Sequence, residues 1–218
     1  MSQHILRGMV IGLPALILSL SVHEFAHAWM ATRLGDETPV RQGRLTLSPL
    51  PHMDLFGSLI FPALLMMSGT GWFFGYAKPV QFQPRNFSKR ISMWQGTALT
   101  AVCGPLSNLL LALLSAVLLR VGLSMELPRA HVLLEFASVM FTLNILLAVF
   151  NLVPLPPLDG GYLLPRSMDH IKVYLTRYSM LLFILVFFVP PHNPIGFRVI
   201  NPIRLWLEHI LLSVVGIG

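Results

Sequence analysis

Leu13-Pro14-Ala15-Leu16-Ile17-Leu18-Ser19-Leu20-Ser21-Val22-His23-Glu24-Phe25-Ala26-His27-Ala28-Trp29-Met30 is the stretch whose reading decides what kind of molecule this is. It sits inside an apolar run over roughly 5–32, longer than the ~20 residues a membrane-spanning helix needs. Glu24 lies deep in that run, and no lysine or arginine occurs between Arg7 and Arg33 to pair with it. A carboxylate at bilayer depth costs several kcal/mol, so its presence there asks for a function. His23 and His27 flank it, and residues i and i+4 share a helix face, so both imidazoles can point at one zinc ion. Glu24 is then placed to take a proton from water at that site.

Outward from this helix the whole chain has the same character. Of 218 residues, 55% are hydrophobic and 11% charged, with a mean hydropathy of +0.71. Soluble domains carry about 25% charged residues, so disorder, a secreted disulfide scaffold and an ordinary cytosolic enzyme are excluded. The single Cys103 allows no intrachain disulfide. The net charge of +6 fits basic loops on the cytoplasmic side of a membrane. Nucleic acid is not an expected partner, because no basic run is interleaved with aromatics. Further apolar stretches at roughly 55–74, 96–119, 131–153, 173–189 and 199–217 predict an all-α polytopic membrane protein. About five to six transmembrane helices are expected, in a single membrane-embedded domain over 1–218.

The stretch from 35 to 95 breaks the pattern. Gly35-Asp36-Glu37-Thr38-Pro39 stops the first helix, and the alternation from Arg41 to Leu47 reads as a strand. Gly75 and Pro79 make the piece that follows the second apolar run a poor helix. Irregular backbone at membrane depth needs protein or a wet cavity around it. A re-entrant, partly extended loop over roughly 35–95 is therefore expected.

Two histidines leave zinc short of a protein ligand. Asp159 is the best candidate, in Asn151-Leu152-Val153-Pro154-Leu155-Pro156-Pro157-Leu158-Asp159-Gly160-Gly161, where prolines break the helix and glycines free the backbone. His52 and Asp54 are its competitors.

At this point the chain resembles the site-2 protease family of intramembrane zinc metalloproteases, in a compact form without soluble peptide-binding or nucleotide-binding domains. The resemblance rests on His23-Glu24-x-x-His27 continuing to Gly35-Asp36, on Gly104-Pro105-Leu106-Ser107-Asn108, and on Asn151 through Gly161. Gly75-Tyr76-Ala77-Lys78-Pro79-Val80 is similar to the family's re-entrant segment. It implies one zinc per chain on His23, His27 and Asp159, with Glu24 catalytic. It also implies that Asn108 and Asn151 hold the unwound substrate backbone or the oxyanion. Asn144 shares a helix face with Asn151 and carries a weaker case. The piece from Gly75 to Val80 is expected to pair with a substrate strand.

The expected function is a zinc-dependent endopeptidase cutting in or near transmembrane segments, with membrane-protein helices and the lipid bilayer as partners. The alternatives are a membrane zinc transporter or chaperone, and an inactive relative that binds helices. If 55–83 enters and leaves on one side, ten of the 15 Lys and Arg residues fall on the active-site side and five opposite. That bias places a multi-pass protein in a bacterial inner membrane with its site toward the cytoplasm.

Overall fold

The computed structural model describes residues 3–67, 75–128, 131–189 and 194–217. Its helices are α1 (Gln3–Arg33), α2 (Thr38–Arg41), α3 (Phe61–Met67), α4 (Met93–Ser124), α5 (Val132–Asn151), α6 (Asp169–Arg177), α7 (Ser179–Phe188) and α8 (Ile195–Val214). Among the described residues, α1, α4 and α5 are long and apolar enough to cross a bilayer. Arg166–Arg177 and Ser179–Phe188 add a fourth crossing only if taken together, across a 77° bend. The expected count of five to six spans is not confirmed among the described residues, where three helices, or four with the bent pair, meet the length and hydropathy needed. Within the run at 55–74 the described residues form the short apolar helix Leu55–Met67, its first six residues π-helical, and 68–74 lie outside the described residues. The run at 199–217 carries Arg204 and Glu208 within α8.

The expected strand from Arg41 to Leu47 is absent, and no β-ladder occurs among the described residues. Pro39 opens the short helix α2, and Gly43 then turns the chain at a φ of +66°. Arg44 donates to the carbonyls of Pro51 and Lys78. Alternation alone makes no sheet, because a strand needs a neighbouring edge to satisfy its backbone groups.

The segment between α1 and α4 returns to the end from which it left. Ser88 N–H donates to Leu34 O at 2.7 Å, Lys78 N–H to His52 O at 2.8 Å and Tyr76 N–H to Gly57 O at 3.0 Å. The chain at 76–88 is thus beside the chain at 34–57. Hence α4 runs back along α1, α5 runs back along α4, and α1 and α5 are parallel. Asp36 locks the return: its carboxylate accepts from Thr38 N–H and Oγ1, Gln83 N–H and Asn86 Nδ2. Burial alone would raise the Asp36 carboxyl, but the donors of Thr38, Asn86 and Gln83 hold it below the usual carboxylate range.

The helices are sorted inside-out relative to a soluble bundle. On α4, Leu106, Leu110, Leu114 and Leu118 are exposed, while Gly104, Asn108, Ala112 and Ser115 are buried. Lipid tails are as apolar as leucine, so association rests on close packing of small residues and on interhelical hydrogen bonds. One buried cluster joins α1 to α5 through Leu16, Leu20, Met140, Leu143 and Leu147, and Ala77 packs into it. A second gathers Phe150, Leu155, Leu158, Phe187 and Ile200, which seats α7, α8 and the loop after α5.

Candidate active site

His23 and His27 occupy consecutive turns of α1 and are buried, with ring centroids 4.6 Å apart and planes at 86°. Each ring is aimed by its Nδ1. His23 Nδ1 meets Asn108 Oδ1 at 2.6 Å, and His27 Nδ1 meets the Thr100 carbonyl at 2.8 Å. Both partners only accept, so each Nδ1 donates outward and each ring turns its Nε2 inward. The two Nε2 atoms are 3.0 Å apart.

Asp159 comes from the other end of the sequence but the same end of the bundle. Past α5, Leu155 and Leu158 anchor the proline-rich loop in the core, and a 3-10 turn, Asp159–Leu163, presents the carboxylate. Gly160 is required there, since a Cβ would meet the carbonyls of Leu152 and Val153. Trp94 Nε1–H donates to Leu164 O at 3.0 Å and fastens the far side of the turn to α4. Asp159 Oδ2 lies 3.1 Å from His23 Nε2 and Oδ1 lies 3.3 Å from His27 Nε2.

This trio fits a zinc ion. The two Nε2 atoms are 3.0 Å apart, and each has one Asp159 oxygen close by, Oδ2 at 3.1 Å for His23 and Oδ1 at 3.3 Å for His27. One ligand atom from each of the three residues lies within 4.8 Å of the others, close enough to share a zinc ion. With Nδ1 of each ring directed at an acceptor, the two Nε2 atoms and the Asp159 carboxylate face one another. Buried Asp159 Oδ2 has no hydrogen-bond donor. A cation satisfies all three groups. Among the described residues, His23, His27 and Asp159 form the only cluster of this kind. The competitors lie elsewhere: His52 Nε2 bonds Thr46 O at 2.8 Å, and Asp54 caps Leu55–Ile60 by accepting from Gly57 N–H at 2.7 Å.

Glu24 is buried beside the trio, and its Oε2 accepts from Val80 N–H at 2.8 Å. That donor holds the carboxylate without protonating it. The extended segment before it is already paired: the N–H groups of Tyr76 and Lys78 go to Gly57 and His52, and Val80 N–H to Glu24. The edge-pairing expectation for 75–80 therefore narrows, because these three donors are not free for a substrate strand. Among the described residues, Ala77 and Gln81 N–H have no partner.

The asparagines are also reassigned by position. Asn108 is fully buried with both amide atoms in use, toward His23 and toward Asn144 Oδ1 at 2.7 Å. It is not open to a substrate backbone. Asn151, at the last turn of α5, donates back to Leu147 O at 3.0 Å and has no hydrogen bond to the trio among the described residues. Sequence reasoning passed over Gly104 as a site residue. A Cβ there would sit against His27 Nε2 and 2.6 Å from His23 Cε1, so only glycine lets α4 pass this close. Its place in Gly104-Pro105-x-x-Asn108 was the available signal.

A helical membrane protein with a buried His-Glu-x-x-His helix and a distant aspartate is, as a class, a membrane metalloprotease. Comparison with known proteins agrees. Residues 125–189 match the model of peptidase family M50. The chain is 36% identical over 184 residues to "Putative zinc metalloprotease YwhC" of Bacillus subtilis, covering 80% of this chain and 78% of that one. It is 33% identical over 144 residues to "Putative zinc metalloprotease Rip2" of Mycolicibacterium smegmatis, covering 66% of this chain and 52% of that one. Against the Rip2 protein of Mycobacterium tuberculosis, identity is 30% over 180 residues, covering 80% and 65%. The chain thus spans about half to two thirds of the mycobacterial relatives. No solved structure gives a significant match. The chain belongs to peptidase family M50, the site-2 protease family, and is a membrane metalloendopeptidase.

Proposed function

We propose that this protein is a zinc-dependent intramembrane endopeptidase that hydrolyses peptide bonds in or near transmembrane segments of other membrane proteins. The observation that carries the reading is the meeting of His23, His27 and Asp159, with Glu24 beside them, among apolar helices. Zinc on these three residues supplies Lewis acidity to the scissile carbonyl and to the attacking water. Thr100 O and Asn108 Oδ1 hold the imidazoles in the ligating orientation. Glu24 takes the water's proton and returns it to the leaving amine. Val80 N–H, bonded to Oε2, aims that carboxylate. A helical substrate hides its carbonyls in internal bonds, so it unwinds locally before Glu24 can act.

The test is proteolysis by purified protein of a single-span membrane substrate in detergent or liposomes. Wild type should cleave; Glu24→Gln should lose at least about a thousandfold in rate while keeping its zinc. Cleavage by Glu24→Gln at near wild-type rate would refute the assignment.

The site faces the cytoplasm of a bacterial inner membrane in this reading, supported by the clustering of basic residues on the 35–95 side. A cysteine at Ser88, in a Cys103→Ala background, should resist impermeant thiol reagents in intact cells and react in inverted vesicles. The opposite pattern reverses the orientation.

A further inference from the structure

Three helices contribute a buried polar chain that the hydrolytic chemistry does not use directly. Ser19, Asn108 and Asn144 are each 0% exposed, on α1, α4 and α5. Asn144 Nδ2 donates to Met140 O at 2.8 Å and to Ser19 Oγ at 2.9 Å. Ser19 O–H is itself spent on Ala15 O at 2.7 Å, so toward Asn144 it can only accept. Two helix carbonyls, Ala15 O and Met140 O, thereby fix which end of the Asn144 amide is nitrogen. Its Oδ1 must then face Asn108, and it accepts from Asn108 Nδ2 at 2.7 Å. Ser19 O, 3.4 Å away, is a second acceptor for that nitrogen. Asn108 Oδ1 is left pointing at His23 Nδ1, at 2.6 Å.

We propose that Asn144, acting through Asn108, dictates which ring nitrogen of His23 carries the proton and so prepares Nε2 for the metal. The inference rests on the metalloprotease reading above and assigns both asparagines as positioning residues. A neutral imidazole has one N–H. Were the Asn108 amide turned over, its NH2 would face His23 Nδ1, and the ring proton would move to Nε2. That proton would point at His27 Nε2, where the ion must sit. Nothing about Asn108 alone prevents the turn; Asn144 Oδ1 does, by claiming Nδ2. His27 needs no such device, because the Thr100 carbonyl cannot be reversed. Partners of this kind commonly change metal affinity ten- to a hundredfold when lost.

The experiment measures zinc affinity by chelator competition on purified full-length protein, with cobalt absorption as a second readout of the ligand set. Thermal unfolding of the metal-free proteins is recorded separately. Asn108→Leu should weaken zinc about 10–100-fold. Asn144→Leu should weaken it by about tenfold, although Asn144 contacts no ligand. Asn144→Ala repeats the test should the larger side chain not fold. Asn108→Asp should stay within about threefold of wild type. The aspartate keeps an oxygen acceptor facing His23 Nδ1, which is what holds the ring proton there. Interhelical packing alone would lower thermal stability in the Asn144 variants and leave zinc affinity unchanged, and that result overturns the proposal. So does Asn108→Asp binding as weakly as Asn108→Leu. Wild-type protein that binds no zinc would instead overturn the metalloprotease reading; zinc binding and cleavage intact beside unaffected Asn144 variants would overturn only this one.

Discussion

Asp159→Ala protein, purified without added metal, should be nearly free of zinc, while Glu24→Gln purified alongside should hold about one ion per chain. Structural zinc sites release about 10–16 kcal/mol over four ligands, so one ligand accounts for roughly 3 kcal/mol, or about a hundredfold in affinity. Removing Asp159 also takes away the carboxylate whose oxygens lie 3.1 Å from His23 Nε2 and 3.3 Å from His27 Nε2. His23→Ala and His27→Ala should behave like Asp159→Ala, and all three should lose cleavage with their metal. Glu24 differs in kind, since its resolved partner is Val80 N–H and not an imidazole. Metal analysis by mass spectrometry decides the point. Full zinc occupancy in Asp159→Ala would mean that the third ligand is not Asp159 and would return Glu24, His52 and Asp54 as candidates.

Gly104→Ala should abolish zinc binding and proteolysis, by at least about a hundredfold, although the substitution favours the helix. Alanine in a helix interior is better than glycine by about 0.8–1.0 kcal/mol, so on local grounds α4 should gain stability. The added Cβ, however, lies against His27 Nε2 and 2.5 Å from His27 Cε1. Neither ring can step aside cheaply, since His27 is pinned by Thr100 O and His23 by Asn108 Oδ1. The helices must separate or the imidazoles must leave their bonds, and each costs the ligand geometry. Chelator competition and a cleavage assay check this; zinc affinity within a fewfold of wild type would show that α4 can retreat.

The sequence by itself determined the environment and the reactive pair of turns. Few charges and long apolar runs allow only a membrane bundle, and the four-residue spacing of His23 and His27 puts two imidazoles on one face with Glu24 adjacent. These are properties of composition and of helix periodicity, which act within a segment. Asp159 was legible as the best candidate for a third ligand, in a proline-broken, glycine-rich stretch just after an apolar run. Tertiary structure decided everything that depends on which segment meets which. It sent His52 to Thr46 and Asp54 to a helix cap, gave Glu24 a backbone donor from 56 residues away, and turned Asn108 from a substrate contact into the partner of His23. It also denied Arg41 to Leu47 a strand and, among the described residues, gave three helices long and apolar enough to cross a bilayer, or four with the bent pair. Hydrophobic pattern records how greasy a segment is, but whether it crosses, bends or returns is settled by its packing partners. A polar atom at membrane depth likewise takes its role from the one neighbour that can satisfy it.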